Sequence, residues 1–104
     1  MNKNTLNKTE IFKDWFEALD DRLIQKRINI RIQRAGKGNF GNVKPVGGGV
    51  FEMRLYFGSG YRLYYFQHGK QLYWLLMGGD KSTQTDDIEL AKAIKIKVER
   101  GEKC

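Results

Sequence analysis

Residues 50–67 read Val50-Phe51-Glu52-Met53-Arg54-Leu55-Tyr56-Phe57, then Gly58-Ser59-Gly60, then Tyr61-Arg62-Leu63-Tyr64-Tyr65-Phe66-Gln67. In Val50–Phe57 the side chains alternate: Phe51, Met53, Leu55 and Phe57 point one way, Glu52, Arg54 and Tyr56 the other. A period of two with one apolar face describes a half-buried strand. If Gly58-Ser59-Gly60 closes a three-residue hairpin loop, Phe57 faces Tyr61, Tyr56 faces Arg62 and Leu55 faces Leu63. A two-residue loop would move Leu63 onto the face of Arg54, a slip that is penalised when one face is buried. The pattern therefore selects the three-residue loop, and Arg54 and Arg62 become diagonal neighbours roughly 7–8 Å apart. Gln71–Met77 is apolar on both faces, as expected of a central strand. A turn at His68-Gly69 would carry Tyr73, Leu75, Met77 and, by extension, Lys81 onto the arginine face.

On either side of this sheet the period changes. Thr9 to Asp21 spaces Ile11, Phe12, Trp15, Phe16 and Leu19 as one face of a helix, with Thr9 as its N-cap. A break at Asp20-Asp21 precedes a second helix, Arg22 to Ala35, with Ile24, Ile28, Ile32 and Ala35 as its apolar stripe. The two form a helical hairpin. Arg27, Arg31 and Arg34 make a basic ridge on another face of the second helix, either solvated or a binding surface. Gly36 to Gly49, with six glycines, two asparagines and the only proline, reads as a loop. It contains neither a G-x-x-x-x-G-K-[ST] phosphate loop nor a G-x-G-x-x-G followed by a helix. After Thr85 the spacing of Ile88, Ala91, Ile94 and Val98 is helical, with Asp86 and Asp87 in the first turn.

The expectation is thus an α+β fold in one domain, residues 1–104, with flexible ends at 1–8 and 100–104. The chain is 40% hydrophobic and carries a net charge of +7. Residues 22–62 hold nine bases against Glu52 alone, hence +8, which favours an anionic polymer or an acidic partner. No apolar run approaches the roughly 20 residues that cross a bilayer. Met1 to Asn7 lacks the apolar core of a signal peptide, so the expected location is the cytoplasm, with no membrane partner. One cysteine, Cys104, excludes an intrachain disulfide and reads as an inert tail thiol. No metal ligand set and no cofactor are expected.

Two arginines on one sheet face repel unless an anion lies beside them. Glu52 can neutralise one, and a solvated face of ordinary ion pairs would need nothing more. Gly47-Gly48-Gly49 before the first strand and Gly78-Gly79 after the third would leave the face open, as phosphate contacts require.

Gly38-Asn39-Phe40-Gly41, Val43-Lys44-Pro45-Val46, Glu52-x-Arg54, Gly60-Tyr61-Arg62 and Gly79-Asp80-Lys81-Ser82-Thr83-Gln84 occur in this order. Together with Phe12, Trp15 and Leu19, and with Asp87-Ile88 and Ala91, they resemble the RelE/ParE superfamily of type II toxins, most closely its small HigB-like "addiction module killer" branch. The resemblance covers nearly the whole chain from Ile11. It implies a RelE-like fold: two N-terminal helices, a small antiparallel sheet and a C-terminal helix. It also implies an endoribonuclease that cuts mRNA, in many relatives at the ribosomal A site, by attack of a 2′-OH on its own phosphate. The partners it implies are mRNA, the ribosome and a cognate antitoxin, a small helix-turn-helix protein encoded next to the toxin.

By the same resemblance, Arg54 and Arg62 match phosphate-contacting and transition-state-stabilising positions, Lys81 a basic position after the last strand, and Gln84 a further site side chain. Lys44 is the expected backbone anchor. Glu52 is a general base or, in preference, the partner of the arginines. Of the nearby aromatics Tyr56, Tyr61 and Tyr64, which either stack on a base or simply pack the sheet, Tyr56 and Tyr64 are expected to contact RNA, as are Arg27 and Arg31. His68 matches no catalytic histidine. The alternatives are a non-enzymatic ParE-like toxin that poisons DNA gyrase, with the cation cluster idle, and an inactive basic RNA-binding domain.

Overall fold

A computed structural model describes residues 3–104. Its elements are β1 (Thr5–Lys8), α1 (Glu10–Glu17), α2 (Arg22–Gly36), β2 (Val43–Gly47), β3 (Val50–Arg54), β4 (Arg62–Gln67), β5 (Leu72–Gly79), a 3-10 turn (Lys81–Thr83) and α3 (Gln84–Glu99). The strands form one sheet in the order β1-β5-β4-β3-β2, antiparallel except for the β1–β5 pair. The α+β class, the two N-terminal helices and the C-terminal helix are as expected from the sequence.

Local chemistry explains the helix starts. The Thr9 hydroxyl accepts from Phe12 N–H at 3.0 Å and donates to the Leu76 carbonyl at 2.6 Å, so one buried side chain caps α1 and ties it to β5. Asp21 caps α2 by accepting from Leu23 and Ile24 N–H. Both helices then lie on one face of the sheet, where Phe12, Ile28 and Ala35 bury against Met53, Leu55, Leu63, Tyr65 and Leu75. On the other face α3 buries Ala91 and Ile94 against Val50, Tyr64, Phe66, Leu76 and Met77. The sheet is thus covered on both sides, and its arginine face is not the open surface that the sequence suggests.

The structure corrects the hairpin. β3 ends at Arg54 rather than Phe57, and its register sets Arg54 directly opposite Arg62, Met53 opposite Leu63 and Glu52 opposite Tyr64. The pairing differs from the expected one by two residues, which preserves the faces and turns diagonal arginines into facing ones. The wider loop exists because Phe57 leaves the ladder. It packs against Tyr61, with centroids 6.0 Å apart, beneath the guanidinium of Arg27 at 5.4 Å. Gly58 and Gly60 close the loop at φ 59° and 77°.

Four further expectations change. The loop over residues 36–49 contains an edge strand, β2, in which Pro45 sits at the sheet margin, where a missing N–H is tolerated. The N-terminal segment expected to be flexible contributes β1, paired in parallel with residues 72–75; residues 1–2 lie outside the described ones. At the other end, Cys104 packs against the α3 side of the core and its carbonyl accepts from Ile11 N–H at 3.0 Å, so it is not a loose tail. Finally, the β4–β5 register shifts between Tyr64 and Tyr65. That bulge leaves Met77 on the arginine face, and puts Tyr73 and Leu75 on the helical-hairpin side.

Glycines 78 and 79 do not open the face either. A Cβ on Gly78 would lie 2.3 Å from the ring of Trp15, and one on Gly79 would collide with the carboxylate of Asp87. Lys92 and Lys95 similarly lie over Gly47, Gly48 and Gly49. These glycines admit side chains of the protein itself. Gly78→Ala must therefore displace Trp15 from β5, and is expected to destabilise the fold by about 1–3 kcal/mol, as measured by denaturant unfolding.

Candidate functional site

The site lies at the end of the sheet beneath the start of α3, where Glu52 and Tyr64 are covered and Arg54 reaches the surface. β3 delivers Glu52 and Arg54 two residues apart, hence on one face, and β4 sets Arg62 opposite Arg54 and Tyr64 opposite Glu52. Glu52 is 0% exposed. Arg54 Nε approaches its Oε1 at 3.0 Å, while Arg62 Nε lies 3.5 Å from Oε2. Oε2 also accepts from Gln84 Nε2 at 2.9 Å and from the Tyr64 hydroxyl at 3.3 Å. Gln84, the first residue of α3, thereby fastens the helix start to the sheet.

This environment settles the charge state of Glu52. Burial alone would raise its pKa. Hydrogen bonds from Arg54 and Gln84, with the charges of Arg62 and Arg54, outweigh burial and hold the carboxyl below its ordinary value of 4.5. A carboxylate so depressed and so fully engaged is a poor proton acceptor. Burial, followed by the charges of Glu52 and Asp87, pushes the Tyr64 hydroxyl well above its ordinary range, so it stays protonated. Tyr64 is wholly buried and cannot stack on a base. The expectation of a base-stacking Tyr64 is corrected because α3 covers it.

Around this buried centre lies an exposed rim. Arg54 and Arg62 line a cleft of ≈ 380 Å³ with Tyr56, Gly58, Gly60 and Tyr61. Arg62 Nη1 donates to the Gly60 carbonyl at 2.8 Å, aligning the side chain along the loop. Tyr56 is 73% exposed, and its hydroxyl accepts from Asn42 Nδ2 at 2.7 Å. Lys81 is exposed in the 3-10 turn; its N–H donates to the Ser59 carbonyl at 3.3 Å. Asp80 holds that turn, accepting from Ser59 Oγ at 3.2 Å and from Ser82 N and Oγ at 2.9 and 2.6 Å. Lys44 is exposed on β2, in register with Glu52.

The expected site residues thus divide. Glu52, Arg54, Arg62 and Gln84 form one bonded group, with Tyr56, Lys81 and Lys44 at its rim. Arg27 lies on α2 over Phe57. Arg31 is engaged differently from a free RNA contact: its Nη1 donates to the Arg54 carbonyl at 2.8 Å and its Nη2 to the Phe40 carbonyl at 3.0 Å. Arg54 is in turn held through its N–H by the Asn42 carbonyl at 2.9 Å. Sequence reasoning missed Asn42, Ser59 and Asp80, although Asp80-x-Ser82 is a readable capping pattern. Arg31→Ala leaves two carbonyls without their charged donor and is expected to cost about 2 kcal/mol in denaturant unfolding. His68 is exposed at the turn after β4, away from the group. No set of three or more metal-ligating side chains occurs among the described residues.

Residues 14–98 match the family model "Phage derived protein Gp49-like (DUF891)". The chain belongs to the Gp49-like family. This family is part of the RelE/HigB-type superfamily of toxins from toxin–antitoxin systems, so an antitoxin partner is implied. A second similarity is to an uncharacterized protein of Haemophilus influenzae, 43% identical over 89 residues, covering 86% of this chain and 90% of that protein. The Gp49-like match spans α2, β2–β5 and most of α3, and so includes every element that carries a site residue. No helix of this Gp49-like chain is long and apolar enough to cross a membrane among the described residues.

Proposed function

We propose that this chain, as one domain over residues 1–104, is a HigB-like toxin that cuts mRNA at the ribosomal A site as a metal-independent endoribonuclease in the cytoplasm. The observation that carries the reading is the facing pair Arg54 and Arg62, held over one buried carboxylate at an exposed sheet end and rimmed by Lys81 and Tyr56.

Such a site suits a reaction in which RNA supplies its own nucleophile. The 2′-hydroxyl gives its proton to solvent water as its oxygen bonds to the adjacent phosphorus; the bond to the 5′-oxygen breaks, that oxygen takes a proton from water, and in between charge accumulates on the non-bridging oxygens. Arg54, Arg62 and Lys81 meet that charge, and fixed cations act without reorganising at the moment of reaction. Tyr56 offers a face for one base, while Lys44 and Arg27 extend the phosphate contacts. Glu52, with Gln84, positions the arginines instead of moving a proton. Alignment and charge stabilisation are the catalytic contributions of these residues, and no cofactor takes part.

Mapping RNA 5′ ends after brief induction tests the reading. The parent should arrest growth and create new 5′ ends inside translated frames, and Arg62→Ala should do neither. Arrest with intact mRNA and a DNA-damage response would replace it with gyrase poisoning.

A further inference from the structure

The cleft of Arg54 and Arg62 has a neighbour on the α2 side of the sheet end. Between α2 and the loop after β3, a second cleft of ≈ 360 Å³ is lined by Arg27, Ile30, Arg31, Arg34, Tyr56 and Phe57. Tyr56 and Phe57 line both clefts, so the two meet along these side chains.

Charge in this second cleft is unbalanced. Three guanidiniums line it and no carboxylate does. Among the described residues, none of Arg27, Arg31 and Arg34 joins a salt bridge. Arg31 gives its Nη atoms to two neutral carbonyls. Burial, followed by the charge of Arg34, lowers its pKa, the behaviour of a desolvated cation lacking an anion. The dipole of α2 favours a cation in its last turn, where Arg34 stands, but gives no reason for Arg27 and Arg31 further back. Cations gathered in this way attract an anion into the space between them.

The ring between the clefts narrows the anion. Tyr56 is 73% exposed, more than any other large hydrophobic side chain among the described residues. Its hydroxyl accepts from Asn42 Nδ2, which fixes the ring by its far end. An anchored, solvent-facing ring beside unpaired guanidiniums offers a stacking face and phosphate donors together, the combination that single-stranded nucleic acid uses. A duplex keeps its bases stacked inside and has none to lay on Tyr56. An acidic peptide would answer the arginines alone.

We propose that the second cleft is a subsite for the nucleotide next to the scissile one. Single-stranded RNA runs round the end of the sheet from Arg54 and Arg62, lays a base on Tyr56 and seats its next phosphate between Arg27 and Arg34. Arg31, bonded to the Arg54 carbonyl, links the two clefts. The inference rests on the RNA reading of the first cleft and adds a length requirement to it. A dinucleotide, with a single phosphate, fills the first cleft only, so the preferred substrate is an unpaired strand of at least three nucleotides.

Fluorescence anisotropy with a short, labelled 2′-O-methyl RNA tests this, because the methyl group blocks the attacking oxygen and leaves binding alone to be read. Arg34 and Tyr56 are both exposed, and the fold of each variant is checked by circular dichroism and melting. Arg34→Ala should raise Kd about fivefold and flatten the slope of log Kd against log salt by about 0.7, for the one phosphate lost. Tyr56→Ala should raise Kd at least about fivefold. With an abasic strand the Tyr56→Ala effect should vanish and the Arg34→Ala effect persist. Duplex RNA of the same sequence should bind more weakly than the single strand. Variants that bind like the parent would overturn the proposal, as would a parent that binds neither form. Displacement of the strand by poly-glutamate at equal charge concentration would assign the cleft to an acidic protein instead. Cleavage of the unmodified strand on programmed ribosomes is scored separately. Binding that depends on Arg34 and Tyr56 without cleavage keeps the subsite and rejects the nuclease; cleavage without that dependence does the reverse.

Discussion

Glu52→Ala is expected to lower stability by about 3 kcal/mol, the low end of the range for removing one partner of a buried ion pair. The substitution leaves Arg54 and Arg62 facing each other without the anion between them, and takes the acceptor from Gln84 and Tyr64. The low end applies because Arg54 can swing its guanidinium toward water, whereas Arg62 and Tyr64 are less free. Glu52→Gln keeps the volume and should cost less, though still more than an exposed substitution.

The same carboxylate sets a pH signature. Its folded pKa lies below the unfolded 4.5, so its contribution is fully present above pH 4.5 and fades as pH falls through the depressed value. Urea titrations at pH 7 and pH 3 should therefore show the parent converging on Glu52→Ala in acid. Equal gaps at both pH values would show that the carboxylate's charge contributes nothing.

Arg62→Ala should cut RNA cleavage by about 10²–10³-fold, the loss typical of removing one preorganised donor from a developing anion. Arg62 is the better probe of the two arginines, because Glu52 and the Gly60 carbonyl hold its side chain at the cleft wall. Lys81→Ala, at an exposed position, should lose less and keep the parent's melting temperature. Single-turnover cleavage of mRNA on programmed ribosomes separates chemistry from binding. A fall in kcat without a rise in KM is the expected pattern for Arg62. Parent-like cleavage by both variants would remove these residues from the site.

Much of this was readable along the chain. Alternation from Phe51 to Phe57 put Glu52 and Arg54 on one face, the hairpin register added Arg62, and a two-residue error in that register could not undo it. Capping chemistry at Thr9 and Asp21 located both N-terminal helices. The loop width was not readable, because it depends on Phe57 leaving the ladder to meet Tyr61 and Arg27, residues from other elements. Nor was β1, whose four residues Thr5–Lys8 carry no alternating pattern and become a strand by borrowing the edge of β5.

The sequence by itself determined which side chains share a face, since the periods of strand and helix are local properties of the backbone. Only the tertiary structure decided which of those side chains meet water. α3 lies down on Tyr64 and Glu52, Trp15 and Asp87 fill the space beside Gly78 and Gly79, and Arg31 turns from a surface ridge to the Arg54 carbonyl. Each outcome depends on how one element packs over another, where burial of apolar area and the pairing of buried charge outweigh any preference written in a single segment.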